Sequence, residues 1–158
     1  MPPTPLSSRD QEVVDAMAVY FSRMGATAGL PKSAALIYHA LFVSEQPLSF
    51  GQVMEQGGLS KATASTGLKL LERIGAAHRV EMPTERGTYY RPELSVRRLI
   101  AGFFENTLQP GLQSGSEILE GMNGTDGLSE HLESRVKSLK HWHAMSEDLL
   151  PVLKALEP

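Results

Sequence analysis

Apolar positions along this chain repeat with one period, change to another, and change back. Val13, Val14, Met17, Tyr20, Phe21 and Met24 recur at threes and fours, the spacing of one helical face. Ser8 stands ahead of them with Gln11 three residues on, the spacing of a capping box, and Gly25 and Gly29 mark the expected end. Pro31 suits the first turn of a second helix, whose stripe is Ala34, Ala35, Ile37, Tyr38, Leu41 and Phe42. Glu45-Gln46-Pro47 stops it. Ser49 with Gln52 predicts a short third helix through Val53 and Met54, closed by Gly57-Gly58. Ser60 then caps a fourth helix over 60–75.

That fourth helix has two unlike faces. Ala64, Leu68, Leu71 and Gly75 line one, and Ala62, Thr66, Lys69 and Arg73 line the other, with Ser65 beside them. After Gly75 the period shortens. Ala77 to Met82 and Thr88 to Arg91 read as strands around the turn Pro83-Thr84-Glu85-Arg86-Gly87, a β-hairpin.

From Glu93 the helical period returns through Val96, Leu99, Ile100, Phe103 and Phe104, until Pro110-Gly111 kinks or ends the helix. Five glycines in 111–127 (111, 115, 121, 124 and 127) weaken any helix there. Leu128, Leu132, Val136, Leu139, Trp142 or His143, Met145, Leu149, Leu153 and Leu156 predict a last long helix, bent at Pro151. The fold class is therefore mainly α with a small β-hairpin. The domains expected are a disordered lead over 1–7, an N-terminal helix over 8–29, a compact helical and hairpin domain over 30–92, and a C-terminal helical region over 93–158. No internal repeat is visible.

Charge sharpens this picture. The chain of 158 residues has a formal net charge of −3, which by itself argues against nucleic acid. Residues 31–91 hold seven Lys or Arg and five acids, 7 − 5 = +2, and the remainder hold 8 − 13 = −5. A mildly basic centre between acidic flanks fits a DNA-facing module on an acidic scaffold.

The order helix, helix, helix, hairpin is that of a winged helix-turn-helix, whose second motif helix enters the major groove of double-stranded DNA. Such a helix must bury one face and present short polar groups on the other. The 60–75 segment meets both demands, and Lys69 and Arg73 can reach phosphate or guanine. Arg86 beside Gly87 suits a wing tip at the minor groove or on phosphate. Lys32 and Ser33 open the second helix, where a helix N-terminus with a cation suits phosphate. The plainer alternatives are an amphipathic surface helix and solvated arginines and lysines. A winged-helix protein-interaction module without DNA binding is the other function class. Large apolar anchors would be expected on its outer helix face, where this chain has Thr, Ser, Ala and Lys.

Other chemistry finds little support. There is no cysteine, so no disulfide and no thiolate metal site. No Gly-rich phosphate loop and no nucleophile elbow appear, and the chain is not expected to be an enzyme or to carry a cofactor. His141 and His143 diverge on a helix, while His143 and Glu147 share a face. A lone pair of that kind is ordinary surface polarity more often than a metal site, so no metal is expected. Met1–Ser8 has three prolines and no apolar run, which does not fit a secretory leader, and no run is long enough to span a bilayer. A cytoplasmic protein is expected.

Three stretches resemble the MarR superfamily, and within it the GbsR-like branch: "RMG" with "LPKSAALIY" at 23–38, "SEQPLS" at 44–49, and "LSKATASTGLKLLERIGAAHRV" at 59–80. The resemblance covers roughly 20–92 and departs from the pattern where three residues separate Gly25 from Gly29. It implies a bacterial transcriptional regulator, a homodimer with interlocked N- and C-terminal dimerisation helices, and a DNA-reading set of Ser60, Lys61, Ala62, Thr63, Ser65, Thr66 and Lys69, with Arg86 at the wing. The apolar stripes of the first and last helices exceed what a small winged domain needs, which suits a dimer, although both can also pack within one chain. Some members of the branch respond to choline or related quaternary ammonium compounds. A small-molecule effector of that kind needs an aromatic cage, for which Tyr20, Tyr38, Phe103 and Trp142 are candidates, with Phe21, Phe42 and Phe104 nearby in sequence pattern. Plain core positions are the alternative for each.

Overall fold

The computed structural model describes residues 7–83, 86–122, 124, 127–148 and 150–155. The chain divides into two compact units, Met1–Leu94 and Ser95–Pro158.

The first unit begins with α1 (Ser8–Thr27), followed by α2 (Lys32–Val43), β1 (Leu48–Ser49), α3 (Phe50–Gly57), α4 (Lys61–Arg73), β2 (Ala77–Val80) and β3 (Tyr89–Pro92). The cap of α1 is Ser7, one residue before the serine the pattern singles out. Its hydroxyl accepts from Asp10 N–H, and the Asp10 carboxylate accepts from the Ser7 backbone. A carboxylate at that position also suits the positive end of the helix dipole. Residues 1–6 of the expected lead lie outside the described residues. The helix does not end at Gly25. It runs on to Thr27, so two of the three additional residues lengthen α1 and the third, Ala28, is its C-cap. Gly25 is buried, and a Cβ there would stand 3.0 Å from Ala35 Cβ of α2. His39 Nε2 lies 3.0 Å from Val14 O, which ties α2 to α1 a second time.

α2 is the centre of this unit. Ala34, Ile37 and Leu41 are each no more than 1% exposed, and α2 packs against α3, which buries Val53, and α4, which buries Ala64, Leu68 and Leu71. The capping box at the start of α3 does what its spacing predicts. Ser49 accepts from Gln52 N–H and Gln52 Oε1 accepts from Ser49 N–H at 2.8 Å. The turn between α3 and α4 needs a left-handed residue, which Gly58 supplies at φ 59° and ψ 39°, while Leu59 N–H closes onto Met54 O at 2.9 Å.

The hairpin is part of a three-stranded antiparallel sheet of order β1-β3-β2. β1 is only two residues long and pairs Leu48 with Tyr90 and Ser49 with Tyr89. β2 and β3 pair from Ala77–Pro92 to Val80–Tyr89. The sheet thus has one strand more than the hairpin predicted from alternation. The added strand buries Leu48 and Tyr90, 4% and 7% exposed.

The second unit is helical: α5 (Val96–Phe103), a π-helical segment (Phe104–Leu108), α6 (Gln109–Gly121), α7 (Glu130–Asp148) and α8 (Leu150–Lys154). Ser95 caps α5, accepting from Arg98 N–H. Pro110 neither ends nor breaks the helical run. The π-helical turn lies immediately before it, and Pro110 falls in the first turn of α6, where its missing N–H costs little. The helix also persists through Gly111 and Gly115. Of the expected last stripe, Leu149 and Leu156 lie outside the described residues.

Candidate nucleic-acid interface

α4 is built to be held from one side. Its inner face, Ala64, Gly67, Leu68 and Leu71, is buried. Gly67 lies directly over Ile37, so that a Cβ would collide with the Ile37 δ-methyl, and Ala34 backbone atoms are 3.8 Å from the same point. The absence of a side chain lets α4 settle against α2 at close range. Helical periodicity alone marks Ala64, Leu68 and Leu71. Gly67 carries no hydrophobic signal, and Gly75, assigned to the same face by spacing, instead lies beyond the helix at φ 73°.

The outer face carries Lys61, Ala62, Thr63, Thr66, Lys69 and Arg73, all exposed, with Ser65 half-buried at the margin. Ser60 is the N-cap. Its hydroxyl accepts from Thr63 N–H at 3.2 Å and lies 2.8 Å from Thr63 Oγ1. The Ser60 and Thr63 hydroxyls are therefore engaged with each other at the helix start. Lys61, Ala62, Thr66, Lys69 and Arg73 extend outward along one helical surface of short and cationic groups.

Lys32 and Ser33 occupy the first turn of α2, Lys32 exposed and Ser33 half-buried, with Pro31 as a cap lacking a side-chain hydrogen bond. Arg86 is exposed between the two hairpin strands, and Gly87 next to it has φ 126°. Thr84 and Glu85 of the turn lie outside the described residues. Arg79 is exposed on β2 but paired with Glu72 of α4 through its Nε and Nη2 atoms. Those hydrogen bonds, and the Glu72 charge, raise the Arg79 pKa further above its ordinary value.

The aromatic candidates divide between the units. In the first unit Phe21 is the hub: Tyr38 and Tyr20 lie edge-on at centroid distances of 5.1 and 5.5 Å, and Phe42 is tilted against it at 5.0 Å. The Tyr38 hydroxyl donates to Glu93 O at 2.6 Å, and burial, then the Glu93 charge, push its pKa up. Glu93 itself is 8% exposed, with one carboxylate oxygen 3.1 Å from His78 Nε2. The hydrogen bond between residues 38 and 93 spans 55 positions and has no signature in local pattern. Phe103 and Trp142 belong to α5 and α7 of the second unit, and both are exposed. His143 lies beside a groove of about 210 Å³ between α6 and α7, its Nε2 3.4 Å from Glu147 Oε1. Among the described residues no cluster of three His, Asp or Glu is placed to hold a metal ion.

The fold is that of winged-helix regulators. A crystal structure described as that of a transcriptional regulator superposes with a TM-score of 0.60 at 19% identity, covering 92% of this chain and 94% of the other. That likeness concerns the fold. NMB1585, a MarR family regulator from Neisseria meningitidis, aligns over 90% of this chain and 98% of its own at 16% identity, but with a TM-score of only 0.38, too low to bear on the argument. No protein-family model matches the chain, and no curated protein does. Among the described residues no helix is long and apolar enough to cross a membrane.

Proposed function

We propose that this chain is a sequence-specific transcriptional regulator that binds double-stranded DNA as a homodimer, a member of the MarR superfamily related to its GbsR-like branch, working in the bacterial cytoplasm. The observation that carries this reading is the division of α4. It buries Ala64, Gly67, Leu68 and Leu71 and turns Lys61, Ala62, Thr66, Lys69 and Arg73 outward. A helix held this way can lie in a major groove with its backbone close to the base edges. Arg86, exposed on the wing, is assigned to the minor groove, and Lys32 and Ser33 to flanking phosphate.

Homodimerisation is supported by apolar surface. Val19, Tyr20 and Met24 on α1 are each at least half exposed, as are Leu132, Trp142 and Met145 on α7. Such faces call for a partner, and a two-fold pair would set two α4 helices about one turn of DNA apart, roughly 34 Å. A quaternary ammonium effector is the narrowest part of the reading, with Tyr20 and Tyr38 as candidate contacts within the first unit and Phe103 and Trp142 within the second. Calorimetry with choline and betaine tests it, and heat together with a change in DNA affinity is the expected result.

The main test is selection from a random duplex library at two salt concentrations. The expected outcome is a palindrome with half-sites one turn apart, whose binding weakens with salt by a slope of about −0.9 per phosphate contacted. Lys69→Ala and Arg86→Ala each weaken it. Absence of enrichment at either salt would sink the DNA reading and favour a protein partner.

A further inference from the structure

Glu72 stands on α4 near the end of the proposed reading surface, where an acid repels phosphate. Its carboxylate receives both Nε and Nη2 of Arg79, the second at 3.1 Å, in a two-point pairing across seven residues. The partners sit on different elements. Glu72 belongs to the last turn of α4 and is 21% exposed, while Arg79 is on β2 and is 60% exposed.

The connection between these elements is a tight turn. Ala76 N–H bonds to Leu71 O at 2.8 Å and Gly75 N–H to Glu72 O at 3.1 Å, which closes the helix and hands the chain to β2. From there β2 is the edge of the sheet and pairs with β3 alone. β3 is anchored through Tyr90, which lies opposite Arg79 and is buried. From β2, the Arg79 side chain reaches back to the helix and sets its guanidinium on Glu72.

We propose that the Glu72–Arg79 pair positions the wing relative to α4, so that Arg86 and the α4 cations meet one duplex together. Arg79 is thus a positioning residue and not a phosphate contact. This rests on the DNA-reading function above, and it makes a prediction opposite to simple charge counting. Removing an acid from a DNA-facing surface would ordinarily strengthen binding. Removing this one loosens the wing and weakens it.

The test uses the full chain and the duplex enriched by selection, with affinity measured across a salt series for the wild type, Glu72→Gln, Arg79→Gln and the double variant. Melting temperatures measured alongside identify any variant whose fold is lost. For Glu72→Gln we expect binding weaker by about threefold or more with an unchanged salt slope, since no phosphate contact is removed. Arg79→Gln should match it, and the double variant should be no worse than either single one. Tighter binding and a steeper slope in Glu72→Gln would overturn the proposal, because Arg79 would then be a phosphate ligand held back by its partner. So would a slope shallower by about 0.9 per subunit in Arg79→Gln. Should the wild type bind no duplex, the functional reading fails and this inference with it. Wild-type binding with either contrary slope removes this inference alone.

Discussion

The two units of this chain bury their apolar residues very differently. In Met1–Leu94 the apolar side chains of α2, α3 and α4 face one another, and Ile37, Val53, Ala64, Leu68 and Leu71 are all but sealed from solvent. In Ser95–Pro158, Phe104 is the buried apolar residue among those described, while Ile100, Ile118, Leu132, Leu139 and Trp142 are 43–64% exposed. The amphipathic pattern is equally clear in both. The contrast teaches that a helical stripe specifies a face to be covered and says nothing of what covers it. The first unit closes a core of its own, and only the outer side of α1, with Val19, Tyr20 and Met24 at least half exposed, shares the condition of the second. The second carries a surface whose exposure would cost on the order of 25 cal/mol for each Å² left in water, and a second copy is the proposed cover.

The largest expected effect breaks the self-contained half. Leu71→Ala, at a side chain 1% exposed, should lower the unfolding free energy by about 2–5 kcal/mol, read by urea denaturation. A loss under 1 kcal/mol would mean that α4 is not packed as described. Next, Leu139→Asp on the exposed stripe of α7 should leave the winged unit folded but shift the protein toward monomer in sedimentation at micromolar concentration. An unchanged dimer would place the interface elsewhere. Ser60→Ala removes the α4 cap and should cost about 1 kcal/mol, with weaker DNA binding because the reading surface begins at that turn. Tyr38→Phe, which removes the hydrogen bond to Glu93 O, should cost about 0.5–1.5 kcal/mol at neutral pH.

The same tyrosine predicts a pH effect. Its folded pKa is raised from 10.0, so the unfolded chain releases the phenol proton first. Stability contributed by Tyr38 is complete below pH 10 and declines as pH rises from there through the folded value. In Tyr38→Phe the alkaline decline should be shallower, which a series of melts above pH 9 would detect.

Much of the winged unit was legible from local signals. Ser49 with Gln52, Ser60, and the change of period after α4 each mark a feature decided by a few neighbouring residues, and each stands where expected. What local pattern does not carry is non-local or chemically silent. β1 has two residues and exists because β3 passes beside it. Gly67 lies on the buried face but lacks the apolar side chain that periodicity detects. Asp10 made Ser7 the cap, where Gln11 pointed to Ser8. Pro110 predicts a kink or an end because proline cannot donate to the preceding turn, whereas the helical run continues past it with the π-helical segment Phe104–Leu108 just before. The outward residues of α4 follow from the same periodicity as its core. The Glu72–Arg79 pair spans helix and strand, and no single period includes both.

The close seat of α4 on α2 at Gly67 has an evolutionary corollary. Because the helix is held by its backbone and a few inner side chains, the outer positions Ala62, Thr66 and Lys69 take no part in the core. They are free to drift. On the proposed reading, base preference can change by exchanging these exposed residues one at a time with the fold kept, while a side chain at position 67 requires the Ile37 δ-methyl beneath it to give way.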